Sequence, residues 1–128
     1  MPFVALVTVL ALVQFFWLGL QVARARARYG VAAPATTGNE LFERHFRVQM
    51  NTQEQLLMFL PALWIFATYI SPLWAAALGA VFILGRAIYA ISYVREPKSR
   101  SLGFGLTALP TFAMLIGIGV WAVRALLL

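Results

Sequence analysis

Cysteine is absent from the 128 residues, so no disulfide framework, thiolate nucleophile or cysteine metal site can be built. Histidine occurs once, at His45, and the carboxylates are four glutamates, Glu40, Glu43, Glu54 and Glu96. These acids and the single imidazole have no metal-ligand spacing, so no metal is expected. Charge of either sign is scarce. Charged residues make up 11% of the chain, against about 25% in soluble domains. Too few polar side chains remain to wet a globular surface.

What fills the chain instead is hydrocarbon. Hydrophobic residues reach 62% and mean hydropathy is +0.85. The formal charge is +6, but the cations gather at the ends of apolar runs, where membrane proteins place them. Nucleic acid, which needs an exposed basic face, is not an expected partner; membrane lipid is.

The first apolar run, Phe3 to Val22, has 20 residues, enough to cross about 30 Å of hydrocarbon as a helix. Its length and the lack of a basic residue before it predict a retained helix over 3–28 rather than a cleaved leader. Pro34 and Gly38 mark a loop. Asn39 is placed to cap a second helix over 40–70, polar in its first half, with Glu40 and Glu43 beside the positive helix end. Pro61 falls in its apolar half and predicts a bend. Ser71-Pro72 turns the chain into a third helix over 72–94, and a fourth is predicted over 102–125. The expected fold is an all-α membrane protein, a single up-down bundle of four transmembrane helices over 1–128.

Basic residues load the first connection (Arg24, Arg26, Arg28, Arg44, Arg47) and the third (Arg95, Lys98, Arg100), while the second has none. Both loaded connections are expected on the cytoplasmic side, with the termini opposite. The short loops and the Ala- and Arg-rich usage suit a bacterial inner membrane.

Chemistry concentrates on the second helix. At 100° per residue, Arg44, Arg47, Asn51 and Glu54 fall within an arc of about 80°. On the third helix Arg86, Tyr89 and Tyr93 share a face. A charge as deep as Arg86 needs a polar interior or a partner. One reading is structural: a pair between Arg86 and Glu54, with interfacial tyrosines. The other is that the two polar faces meet and line a ligand site. A proton-coupled multidrug transporter would need a titratable carboxylate in its spans, and the first helix has none.

The segment FERHFRVQMNTQE, with Arg44, Arg47, Asn51 and Glu54 in place, resembles the defining motif of the MAPEG family, membrane-associated proteins of eicosanoid and glutathione metabolism. The similarity extends through Leu20-Gln21-Val22, Thr36-Thr37-Gly38, Phe59-Leu60-Pro61 and Leu63-Trp64 to Arg86, Tyr89, Tyr93 and Arg100. It implies a homotrimer of four-helix subunits that uses glutathione as co-substrate, with no metal. It also implies transfer of the glutathione thiolate to a lipophilic small molecule, or reduction of a lipid hydroperoxide. On this resemblance Arg47 would hold a carboxylate and Glu54 the amine. Arg44, Gln49, Asn51, Arg86, Tyr89 and Tyr93 would complete the site, Arg26 would come from a neighbouring subunit, and Arg100 would stabilise the thiolate. A non-catalytic lipid- or glutathione-binding member of the family is the alternative. Gln55 departs from the tyrosine that follows the motif glutamate in the leukotriene-synthesising branch. Ala75 and Gly79 on the third helix, and Gly117 and Gly119 on the fourth, are expected to permit close helix contact.

Overall fold

The structure is a computed structural model describing all 128 residues. Four helices follow one another: α1 (Pro2–Tyr29), α2 (Glu40–Tyr69), α3 (Pro72–Arg95) and α4 (Ser101–Leu127), with a short 3₁₀ turn at Pro97–Ser99 between the last two. There is no strand. The local chemistry accounts for the helix limits. Pro2 and Pro72 sit in first turns, where a missing N–H is not needed. Gly30 ends α1 in the left-handed region, at φ 69°, and donates its N–H to the Arg26 carbonyl. Asn39 and Ser71 accept from the N–H groups of Phe42 and Trp74 through their side chains, capping α2 and α3.

α2 and α3 are the central pair. Each packs against all three of the other helices, and α1 and α4 occupy opposite edges. The core lies in the half of the bundle away from the basic connections. There Phe59 of α2 stacks on Phe82 of α3, with centroids 3.8 Å apart and an interplanar angle of 7°. Val4, Ala11, Leu63 and Met114 close around them.

Small residues set the helix separations, partly at the expected positions. Ala75 is fully buried, and a Cβ on Gly79 would strike Val7 of α1. Gly117 lies against Phe66, whereas Gly119 faces open space. The closest approach is elsewhere. A Cβ on Gly85 would sit 2.7 Å from the Leu106 carbonyl carbon, and one on Gly103 would collide with the Tyr89 backbone. Gly85 and Gly103 therefore bring the backbones of α3 and α4 together beside Tyr89.

Only 29 of the 128 residues are buried, so most apolar side chains point outward. Phe16, Leu57, Leu84, Ile91 and Leu109 are all well exposed, which in water would be an extensive sticky surface and in a bilayer is the lipid contact. α1, α3 and α4 are each long and apolar enough to cross a membrane. α2, at 30 residues, has the length, but the polar half from Glu40 to Gln55 dilutes its hydropathy. That half must be shielded or lie at the boundary.

Candidate functional site

The polar half of α2 stands at the end of the bundle that carries the basic connections. Along its outward side Arg47 and Glu54, seven residues and two turns apart, form an ion pair at 3.1 Å with both side chains about half exposed (50% and 57%). Between them in sequence Asn51 is turned inward, and its Oδ1 is buried without a hydrogen-bond partner. An orphan acceptor beside an exposed ion pair is unusual enough to invite a donor.

Arg44 is engaged differently. It pairs with Glu40 one turn back, at 2.5 Å. Its Nη1 donates to the Val94 carbonyl at 3.0 Å and more weakly to that of Arg95 at 3.3 Å. These are orphan carbonyls at the end of α3, so Arg44 ties α2 to α3 and holds the last turn of α3 in place. Arg44 and Arg47 meet Tyr93 of α3 around an open cavity of about 400 Å3, completed by Thr36, Glu40, Glu43, Phe46 and Pro97.

Behind Tyr93 lies Tyr89, buried and stacked on it with centroids 5.5 Å apart. Under Tyr89 is Arg86, fully buried, its guanidinium carbon 4.2 Å from the Tyr89 ring centroid. Arg86 donates to the hydroxyls of Thr52 on α2 (3.0 Å) and Thr107 on α4 (3.5 Å). Those hydroxyls in turn donate to the Val48 and Gly103 carbonyls of their own helices. The structural alternative of an Arg86–Glu54 pair is thereby replaced: Glu54 belongs to Arg47, and Arg86 to two threonines. Nothing in the spacing of the charges marks Thr52 and Thr107. Their signal was a hydroxyl at an otherwise inward-facing position.

Three further candidates lie around this centre. Arg100 sits at the start of α4 and donates to the Pro97 carbonyl at 3.0 Å. Both Arg100 and Arg47 are within electrostatic reach of the Tyr89 phenol. Arg26 lies over the Phe42 ring at 4.7 Å and donates to the Ala35 carbonyl at 2.6 Å. Gln49 is on the other flank of α2 and packs against Gly19 of α1, in a groove shared with Leu12 and Phe16. Within one chain, then, Arg44, Arg47 and Tyr93 converge, with Asn51 and Glu54 farther along the same helix. Arg26 and Gln49 belong to the α1 side. Gln55 is buried.

A family model described as the MAPEG family matches residues 4–120 of this four-helix chain. The chain belongs to the MAPEG family. Among its relatives, an uncharacterized protein of Synechocystis sp. is 52% identical over 113 residues, covering 88% of this chain and 82% of that one. Human microsomal glutathione S-transferase 2 is 39% identical over 118 residues, 89% of this chain and 80% of the relative. Leukotriene C4 synthase of Cavia porcellus is 38% identical over 96 residues, 75% of this chain and 64% of that enzyme. Membership of the MAPEG family accounts for the all-helical membrane bundle.

Proposed function

We propose that this MAPEG protein is a glutathione-dependent transferase acting on lipophilic electrophiles dissolved in the membrane. The observation that carries the reading is the half-exposed Arg47–Glu54 pair on the α2 face, in a family whose relatives include microsomal glutathione S-transferase 2. Glutathione has two carboxylates and an amine. Arg47 presents a planar fork for a carboxylate and Glu54 an acceptor for the amine. Each neutralises the other until a zwitterionic ligand offers a matching charge to both. Asn51, whose inward Oδ1 is held by no partner, is assigned a peptide N–H that it reaches by turning its amide outward, and Tyr93 supplies a phenolic donor at the cavity wall.

The chemical step needs a thiolate. A free thiol has a pKa near about 8.5, and lowering it by about 2 units takes roughly 3 kcal/mol of preferential stabilisation. Arg100 is assigned that task. Its hydrogen bond to the Pro97 carbonyl is a single neutral contact on an exposed side chain, readily exchanged for an anion. The thiol proton leaves to solvent. The sulfur lone pair then forms the new C–S bond, and the leaving group departs with the electrons of the bond it loses. The same thiolate serves hydroperoxide reduction, with a second glutathione completing the disulfide. Arg86, Tyr89 and Tyr93 act as a stack, Arg86 from behind without touching the ligand. Arg26 and Gln49, on the α1 side, are assigned to the site of a neighbouring copy in a homotrimer. Both basic connections are placed in the cytoplasm.

The test is binding and turnover in detergent-solubilised protein. Arg47→Ala is expected to weaken glutathione by about 1.5–3 kcal/mol, nearer the lower figure because the pair is half exposed and screened. Arg100→Leu is expected to keep that affinity while losing both conjugation of an aryl halide and the ultraviolet thiolate absorbance of the bound ligand. Full activity in Arg100→Leu would remove the thiolate role from Arg100. Binding without turnover in the wild-type chain would instead establish the non-catalytic member.

A further inference from the structure

On the opposite flank of α3 from the polar cavity, α1, α2 and α3 enclose a second cleft of about 360 Å3. Trp17 and Leu18 of α1, Val48 of α2 and Ile91 and Val94 of α3 form its walls. Gln21, His45 and Arg95 line it toward the basic end of the bundle. Arg24 adds a second guanidinium there, lying 5.4 Å from the Trp17 ring centroid. None of the lining residues is a carboxylate. The next acid along the chain, Glu96, accepts the backbone N–H of Lys98. The ion pairs of the chain use Arg44 and Arg47, so Arg24 and Arg95 have no anionic partner.

The cleft is thus amphipathic along its length, with hydrocarbon below and two uncompensated guanidinium groups above. Its α3 wall is fixed, because Arg44 holds the carbonyls of Val94 and Arg95 from the other side. Its volume is near the lower limit for small-molecule pockets, which suits one hydrocarbon chain. A planar guanidinium donates in a bidentate manner to a carboxylate or a phosphate, and room for one chain favours a single-chain acid over a two-chain phospholipid. We propose that this cleft binds a single-chain fatty-acid anion, its chain against Trp17 and Val48 and its carboxylate held by Arg24 and Arg95. The site is separate from the polar α2 cavity and does not depend on glutathione chemistry.

Trp17 provides the readout. The full-length protein in nanodiscs of phosphatidylcholine is titrated with stearate brominated along its chain, and tryptophan quenching is followed. The part of the quench that Trp17→Phe lacks belongs to the cleft. It is expected to saturate, to weaken about tenfold or more in the double variant Arg24→Gln/Arg95→Gln, and to be unchanged in Arg28→Gln, an exposed cation stacked on Tyr29 instead. The methyl ester of the same acid should bind at least about tenfold more weakly, since it lacks the charge. Equal quenching by acid and ester, or by wild type and double variant, would overturn the proposal, leaving an ordinary lipid-facing groove. So would no Trp17 quench at all, as when a second copy covers the cleft. Equivalent charge-dependent quenching by brominated phosphatidylglycerol would likewise overturn it, by assigning the cleft to bilayer lipid.

Discussion

Arg86 is the side chain whose environment says most about how the site is held. Its guanidinium is fully buried among three helices, with the Tyr89 ring against one face and the Thr52 and Thr107 hydroxyls at its edge. Each threonine has its proton committed to a helical carbonyl, so its lone pairs are free to accept from arginine. The Nε is left without a partner. The network is therefore satisfied at two edges and open at a third, and it is sensitive to loss of its centre. Arg86→Ala would leave a cavity and two threonine oxygens that lose a donor. We expect it to destabilise the bundle by about 3 kcal/mol, read from denaturant-induced loss of helicity in detergent. Arg86→Met fills the space with an apolar chain and should recover most of that stability. It should not recover turnover, because Tyr89 then lacks the cation beneath it. Equal recovery of both would make Arg86 a packing residue alone.

At the scale of the helices, the sequence was most legible where physics is local. Apolar runs of about 20 residues, Asn39 as a cap and the Ser71-Pro72 turn all act within a few residues of themselves. Legibility fell where helices choose neighbours. A helix apolar all round, such as α3 or α4, has no preferred stripe, so its buried face cannot be read from periodicity. For the same reason Gly79 was recognisable as a contact residue and Gly85 and Gly103 were not: a glycine reports close approach only once the partner helix is known. The site divides along the same line. The arc of Arg44, Arg47 and Glu54 follows from helix geometry alone. The attachment of Gln49 to Gly19, the Arg44 hold on the end of α3 and the threonine cradle of Arg86 depend on packing. The α3–α4 crossing can be tested at Gly103. A leucine there must displace the Tyr89 backbone and should separate the two helices at the Tyr89–Tyr93 stack. We expect Gly103→Leu to cost more than about 2 kcal/mol of stability, whereas Gly119→Leu, facing open space, should stay within about 0.5 kcal/mol of wild type. Similar losses in both variants would show that the Tyr89 contact does not set the penalty, since leucine is the better helix former at both positions.

For the whole molecule, the site residues proposed above fall into two halves on one chain. Arg47 and Tyr93 share the polar cavity between α2 and α3, with Glu54 paired to Arg47, while Gln49 packs on Gly19 of α1 and Arg26, itself on α1, lies over Phe42. A closed ring of identical chains would set the first half of each copy against the second half of the next, since head-to-tail contacts between like subunits close into a cycle. That arrangement would also cover the exposed charged pair, which lies on the polar half of α2 and is poorly matched to hydrocarbon. Native mass spectrometry in mild detergent should show three chains, and monomers alone would remove the shared site. Mixing is the sharper test. A chain carrying Arg47→Ala and Glu54→Ala and a chain carrying Arg26→Ala and Gln49→Ala should each be inactive as homotrimers. Co-expressed in equal amounts, they place an intact half beside an intact half wherever the two kinds are neighbours in the right order. Random assembly then restores about one site in four. Co-expressed chains should therefore recover about a quarter of wild-type conjugation activity, provided both chains are shown to enter the same trimers. Mixed trimers without any recovery would mean that each chain builds its site alone, and that Arg26 and Gln49 serve only to pack α1 on α2.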